Sequence, residues 1–274
     1  MEHMVAEATN KNSKLRLFKV WWKVTQLAVQ SQLLNVAATF IFLTGKAVRF
    51  IFYFVFLFQV LTFSKSLANY GRKEIIVFFL IFNLVDILAQ ALFRGVYHFR
   101  PLIVSGDYDL DLLKPLPSFF RPIFGLADIF DFITLLPLSI FLAFFFFQNQ
   151  LFSGMVNILL FFVLLLNSVL IAFSFHLFVC AVCVLTTEID HLVWVYRDLT
   201  SMARFSTDIY PKGVQAILTF VIPVVILMTV PAKVLLGYVS WQWIILSLVI
   251  GGMSLWGSFK FWRYALLKYS SASS

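Results

Sequence analysis

Long apolar stretches alternate with short polar ones along this chain of 274 residues. A transmembrane helix needs about 20 mainly apolar residues. Six stretches have this character, at about 47–64, 75–93, 120–147, 155–186, 214–236 and 241–260. The third and fourth exceed the bilayer thickness, so we expect them to tilt, to extend into the cytoplasm or, in the third, to break at Pro137. The pattern predicts an all-α polytopic membrane protein with a single transmembrane domain, residues 36–274.

A seventh stretch, Lys14–Gln30, is amphipathic. Its polar residues recur at steps of three and four and form one stripe on a helix: Arg16, Lys19, Lys23, Gln26 and Gln30. Apolar residues occupy the rest of the surface, among them Phe18, Trp21 and Trp22. This pattern predicts an interfacial helix in the inner head-group region, within a cytoplasmic N-terminus of residues 1–35. The alternative is the start of a long first membrane helix.

The segment Glu188–Lys212 mixes charged and apolar residues at helical spacing. Tyr210-Pro211 ends it, because proline disfavours helix in the residue before it. We expect a cytoplasmic loop at about 187–213.

Composition and charge support a membrane protein and give its orientation. The chain is 61% hydrophobic and 12% charged, whereas soluble domains are about half apolar and about a quarter charged. Basic residues are concentrated in the N-terminal segment, in the segments at 94–119 and 187–213, and after the last span. The positive-inside rule therefore places both termini and these segments in the cytoplasm, and Lys65, Arg72, Lys73 and Lys233 outside. The net charge of +8 suits a membrane surface rather than nucleic acid, and we expect no signal peptide.

Three polar residues form a stripe in the second span: Asn83, Asp86 and Gln90, at steps of three and four. An aspartate at mid-membrane costs roughly 2.5–3.5 kcal/mol, so Asp86 is expected to face the protein interior or a watery path. The stripe either lines a translocation route or forms hydrogen bonds between helices.

Other polar residues near the spans favour structural roles. Asp128 and Asp131, one helical turn apart, are expected to pair with Arg94, Arg100 or Arg121. Small residues recur in the sixth span and predict close helix packing: Ser247, Gly251, Ser254 and Ser258.

The C-x-x-C pair and the nearby histidine do not form a recognisable reactive site. Cys180 and Cys183 lie in an apolar run without a second cysteine pair, and His176 is isolated. Packing roles fit these residues best, so the sequence predicts neither a metal site nor catalytic residues.

The segment Ser105–Pro117, S-G-D-Y-D-L-D-L-L-K-P-L-P, interrupts the apolar pattern between the second and third spans. Gly106 permits a sharp turn, and Asp107 or Asp109 is suited to cap a short helix. Lys114-Pro115 then ends the helix. The helix presents three leucines, Leu110, Leu112 and Leu113. A short helix with an apolar tip fits the groove of a partner protein.

The aspartates of this segment also resemble the start of a calcium-binding EF-hand loop. Asp107, Asp109 and Asp111 have the required spacing, but Leu112 stands where that loop needs glycine and Ser118 where it needs glutamate. A calcium site is therefore excluded.

Leu102–Pro115, L-I-V-S-G-D-Y-D-L-D-L-L-K-P, is similar to a motif of ABC-2 type export permeases, I-x-x-G-x-(L/F)-D-x-x-L-L-(K/R)-P. The residues on the motif are Gly106, Asp109, Leu112, Leu113, Lys114 and Pro115. The chain length, the amphipathic N-terminus and the W-V-Y-R segment before the fifth span also resemble this family.

The resemblance implies a permease subunit of the bacterial plasma (inner) membrane. It would dimerise with an identical or different permease and dock separate cytoplasmic ATPase subunits. The N-terminal helix would be the interfacial elbow of such exporters, and a short cytoplasmic coupling helix would receive the motion of the ATPase. Its residues would be Gly106, Asp107, Asp109, Leu112, Leu113, Lys114 and Pro115.

This chain contains no G-x-x-x-x-G-K-[ST] motif, so ATP and Mg are expected on the partner subunits and no cofactor in this chain. Two alternatives remain open at this point. One is a membrane-embedded lipid-modifying enzyme, and the other is an ATP-independent carrier or channel.

Overall fold

The computed structural model describes residues 2–34, 36–63, 69–151, 153–187 and 190–270. Twelve α-helices lie within these residues: α1 Glu2–Leu33, α2 Val36–Phe63, α3 Arg72–Phe93, α4 Phe99–Val104, α5 Asp107–Leu112, α6 Phe120–Phe124, α7 Ile129–Asn149, α8 Met155–Thr186, α9 Asp190–Ser201, α10 Lys212–Phe220, α11 Val230–Leu235 and α12 Trp241–Lys268. Shorter turns of 3-10 or π helix connect some of them: Arg94–His98, Met202–Arg204, Thr207–Ile209 and Val225–Thr229.

Five helical stretches among these residues are long and apolar enough to cross a membrane. They lie in α2, in α3 with its continuation to Val104, and in α7, α8 and α12. The bent pair α10 and α11 makes a sixth if it is one span. The protein is therefore an all-α polytopic membrane protein, as the apolar pattern predicts.

The core forms where α8 packs along α12 and where α3 packs along α7. Asn167 of α8 donates a hydrogen bond from Nδ2 to the carbonyl oxygen of Ser247 in α12 at 2.9 Å. Gly251 lies so close to Asn167 that a Cβ atom would overlap the Asn167 Oδ1 atom. The small residues of α12 thus allow close contact with α8, which confirms the predicted packing.

The predicted third span is interrupted, but not at Pro137. Helix α6 ends at Phe124, and α7 begins at Ile129. Asp128 caps α7, since its Oδ1 accepts a hydrogen bond from the amide of Phe130 at 2.9 Å. Pro137 lies inside α7 without ending it. The expected break at Pro137 is therefore wrong. The interruption lies between Phe124 and Ile129, where Asp128 can cap the start of α7.

The predicted fifth span, 214–236, is bent by 85° between α10 and α11. Pro223 lies in the break and has no backbone N–H, and it disfavours helix in Ile222. Two other spans are longer than predicted. Helix α2 begins at Val36 rather than at residue 47, and α12 continues to Lys268; residue 64 of the predicted first span lies outside the described residues.

The predicted cytoplasmic loop 187–213 extends between the two ends of α3. The Thr187 carbonyl accepts a hydrogen bond from Arg100, just beyond the C-terminal end of α3. Asp208 accepts one from Tyr70, just before its N-terminal end. These ends are about 33 Å apart for a helix of 22 residues. Not all of this segment can therefore lie at one membrane face.

The apolar side of helix α9 packs into the bundle. Tyr196 stacks on Phe175 of α8 with ring centroids 4.2 Å apart, and Val193 is buried beside it. Sequence alone does not show this partner, and the mixed composition of the segment resembles a solvated loop. Glu188, at its start, and Lys65, predicted outside, lie outside the described residues.

Helix α1 is separate from α2 and carries the predicted polar stripe on its exposed surface. Arg16, Lys19, Lys23, Gln26 and Gln30 are all exposed. The position of α1 at a membrane surface stays a prediction.

Candidate functional site

The 105–117 segment (Ser105–Pro117) contains a sharp turn followed by a short helix. Gly106 adopts a left-handed conformation with φ of 78°, which favours glycine, and it turns the chain from α4 into α5. The predicted cap by Asp107 or Asp109 is wrong, since Gly106 occupies the N-cap position and no side chain caps the helix. Ser105 instead donates a hydrogen bond from Oγ to the Asp107 carboxylate at 2.8 Å.

The predicted apolar tip of α5 is exposed. The exposed fractions are 60% for Leu110, 38% for Leu112 and 82% for Leu113. Leu110 and Leu113 are three residues apart and lie on one side of this helical turn, while Leu112, four residues after Tyr108, lies at the edge of that side.

The opposite face of α5 is anchored in the bundle through Tyr108. Its side chain is fully buried and donates a hydrogen bond from the hydroxyl to the Ser118 carbonyl at 3.1 Å. The Tyr108 ring contacts Phe99 and Tyr269 edge-on, at 5.0 and 5.6 Å between centroids. Helix α5 is therefore held in the bundle through Tyr108, while its leucines remain exposed.

The end of α12 is connected to the same segment. Tyr269 donates a hydrogen bond from its hydroxyl to Asp109 Oδ1 at 2.8 Å, and Trp262 donates from Nε1 to Ser118 Oγ at 3.0 Å. Burial, with the Asp109 carboxylate, raises the pKa of Tyr269 to about 12. Sequence reasoning missed these aromatic partners, because nothing in the pattern indicates which distant helix contacts the segment.

Asp111, which the motif treats as variable, forms the buried ionic contact of the segment. Its Oδ1 accepts hydrogen bonds from Arg121 at 2.6 Å and from Lys114 at 2.8 Å. Lys114 thus binds back onto α5, while Pro115 follows the end of the helix. Arg121 does not pair with Asp128 or Asp131 as expected, and Arg100 binds the Thr187 carbonyl.

A cavity of about 550 Å³ lies between α2, α3, α7 and the Met202–Arg204 turn. The polar stripe Asn83, Asp86 and Gln90 forms part of its wall. Gln90 donates a hydrogen bond to Asp86 at 2.8 Å, and Asn83 donates to the Phe79 carbonyl at 2.7 Å. Both hydrogen bonds stay within α3, so the stripe lines a cavity rather than forming these bonds between helices.

An ionic cluster of Lys46, Arg94, Asp128 and Asp131 adjoins this cavity, and Lys46 and Asp131 are part of its lining. Arg94 lies 2.6 Å from Asp128 and 3.3 Å from Asp131, which confirms the expected partner. Lys46 contacts both aspartates. Its role was missed because the predicted first span begins at residue 47, which left Lys46 in a cytoplasmic segment.

Two arginines of the cavity lie against one tyrosine. The Arg204 Cζ atom is 4.1 Å from the centroid of the Tyr53 ring, and the Arg49 Cζ atom is 5.8 Å from it. Such cation–π contacts stabilise a guanidinium without neutralising it.

The other candidate residues do not join this cavity. His176 is buried, its Nδ1 lies 2.7 Å from the Ala172 carbonyl, and its ring contacts Phe93 and Tyr196. Cys180 and Cys183 are buried thiols of α8. Within the part of the chain that the structure describes, no three potential metal ligands cluster.

These features define a polytopic helical membrane protein with an anchored, exposed helix at one end and a charged cavity among its spans. Residues 19–273 match the family described as ABC-2 family transporter protein. Because the match covers most of the chain, the protein belongs to this family and is a permease-type membrane component of ABC transport. No curated protein and no solved structure matches the chain.

Proposed function

We propose that this protein is the transmembrane permease subunit of an ATP-driven exporter and that the 105–117 segment docks a separate ATPase subunit. The observation that carries the proposal is the division of α5 into two faces. Leu113 is exposed on one face, while Tyr108 is fully buried on the other. An exposed apolar tip on a fixed base is suited to bind a groove on a partner and to transmit its motion.

The contacts of α5 give a physical route for that motion. A displacement of α5 acts on Tyr269 through Asp109 and on Trp262 through Ser118. Both aromatic residues belong to the end of α12, which packs along α8. Docking at the tip is thereby coupled to the main helix pair of the bundle.

The proposal includes the partners that the family implies. ATP and Mg would be held by the ATPase subunits, and a second permease would complete the transport path. Both termini and the leucine tip would face the cytoplasm of a bacterial cell. The exposed basic stripe of α1, including Arg16 and Lys19, supports this orientation because it suits an anionic inner surface.

The test is gentle purification of the chain from its native membrane and identification of co-purifying proteins by mass spectrometry. A nucleotide-binding subunit is expected with wild type and should be lost from Leu112→Asp/Leu113→Asp. The matched control is Leu267→Asp, because Leu267 is 85% exposed but lies at the end of α12. A chain that purifies alone, or a double variant that keeps its ATPase, contradicts the proposal.

A further inference from the structure

The cavity between α2 and α3 has the size and the two-sided lining of an amphiphile site. Its volume of about 550 Å³ falls within the roughly 300–1,000 Å³ of small-molecule sites. Polar side chains of α3 form one wall, and apolar side chains such as Phe50, Leu138 and Phe141 form another.

The charges around the cavity leave an excess of positive charge. Lys46, Arg94, Asp128 and Asp131 contact one another and sum to zero. The remaining charged lining residues are Arg49, Arg204 and Asp86. Even with every carboxylate ionised, which is the least positive case, one positive charge is uncompensated. A low-dielectric site with such an excess favours an anion.

The two arginines are placed to receive that anion. Neither has a carboxylate within 4 Å or a hydrogen bond from its guanidinium, considering the residues that the structure describes. The Tyr53 ring supports Arg204 at 4.1 Å. A contact through the ring face fixes the plane of a guanidinium and leaves its N–H donors for a second partner.

We propose that this cavity binds an amphiphile with an anionic head group. The head group lies at Arg49 and Arg204, and the apolar part lies beside Phe50 and Phe141. Such a ligand is either a resident membrane phospholipid or an exported anionic amphiphile. The cavity alone supports binding of such a ligand, whereas its export rests on the proposed function.

The experiment measures lipid retention by the purified full-length chain with native mass spectrometry. The probes are dioleoyl phosphatidylglycerol and dioleoyl phosphatidylcholine, which share their chains and differ in head-group charge. Wild type should retain phosphatidylglycerol at about tenfold lower concentration, since hydrogen bonds to charged groups carry that order of preference. Arg49→Gln and Arg204→Gln should each weaken this preference, and together abolish it.

Two further variants keep the test specific. Arg204→Lys keeps the charge and should retain the preference in a folded protein. Arg263→Gln removes an exposed arginine of α12, a helix with no residue among those that line the cavity, and should leave retention unchanged. Equal retention of both lipids by wild type, or undiminished preference in the Arg49→Gln/Arg204→Gln variant, overturns the inference.

The two sources of the ligand are separated with the ATPase-bearing complex. Phosphatidylglycerol occupancy that falls during ATP hydrolysis identifies a transported amphiphile, and constant occupancy identifies a resident lipid; both support an anionic head-group site. Absence of an ATPase with the lipid preference intact contradicts only the proposed function. An associated ATPase with equal lipid retention contradicts only this inference.

Discussion

The hydroxyl of Tyr269 lies 2.8 Å from Oδ1 of Asp109 and donates a hydrogen bond to it. This bond joins the end of α12 to α5 across most of the length of the chain. The Tyr269 ring also contacts the Tyr108 ring edge-on. The end of α12 therefore contacts the proposed docking helix at two successive residues, Tyr108 and Asp109.

We expect Tyr269→Phe to weaken coupling while sparing docking. The ring stays in place against Tyr108, but the hydrogen bond to Asp109 is lost. ATPase association should be unchanged, and transport per ATP hydrolysed should fall several-fold in reconstituted vesicles. Tyr264→Phe is the control, because Tyr264 is exposed on α12. Unchanged coupling in Tyr269→Phe would remove this bond from the mechanism.

Asp111→Asn should destabilise the 105–117 segment. Asp111 is buried, whereas its partners Arg121 and Lys114 are about half exposed. Solvent screening reduces the value of such a pair, so we expect a loss of about 1–2 kcal/mol. Thermal unfolding in detergent measures it.

The two cationic partners of Asp111 provide the comparison. Lys114→Gln should lower the stability less than Asp111→Asn does, because Asp111 then keeps Arg121 as a partner at 2.6 Å. A larger effect of Lys114→Gln would show that Lys114 has another role, such as direct contact with the ATPase.

Gly251→Ala should loosen the contact between α8 and α12. The added Cβ atom would overlap the Asn167 side chain, and overpacking of this kind costs about 1–3 kcal/mol. Gly252→Ala is the matched control, since nothing lies within 4 Å of its Cβ position. Combining Gly251→Ala with Asn167→Ala should restore part of the lost stability. Equal melting temperatures for Gly251→Ala and Gly252→Ala would contradict the close packing.

The apolar pattern predicted helices well where a span is continuous. Helix α8 occupies Met155–Thr186, the range predicted from its unbroken apolar run. The apolar pattern was less informative where a proline bends the backbone within an apolar run. The bend between α10 and α11 depends on Pro223, which a hydropathy reading places inside a single span.

In the 105–117 segment only the exposed side was predicted from the sequence, and in the cavity only the polar stripe of α3 and the pairing of Arg94 were predicted. The leucine tip follows from local sequence, because three leucines in a short polar segment have no neighbouring core to enter. The anchoring contacts of Tyr108 with Tyr269, and of Arg204 with Tyr53, depend on which helices meet. Hydrophobic periodicity gives the face that a helix buries, but it does not give the identity of the helix that covers it.

Acid should weaken the contacts of the Thr207–Ile209 turn with Tyr70, just before α3, and with Lys233 in α11. Asp208 accepts hydrogen bonds from Lys233 at 2.8 Å and from Tyr70 at 2.6 Å. Burial raises the pKa of Asp208, but these bonds outweigh it and leave the pKa below its usual value. A carboxylate whose pKa is lower in the folded state stabilises that state above its unfolded pKa, about 3.9.

This stabilisation is lost as the pH falls from about 5 through the lowered pKa of Asp208. The melting temperature of wild type should therefore decrease over that range more steeply than that of Asp208→Asn, which lacks the titrating group. Asp198→Asn is the control, since Asp198 is an exposed aspartate of α9, and it should follow wild type. Parallel pH profiles for wild type and Asp208→Asn would show that this ionic contact contributes no pH-dependent stability.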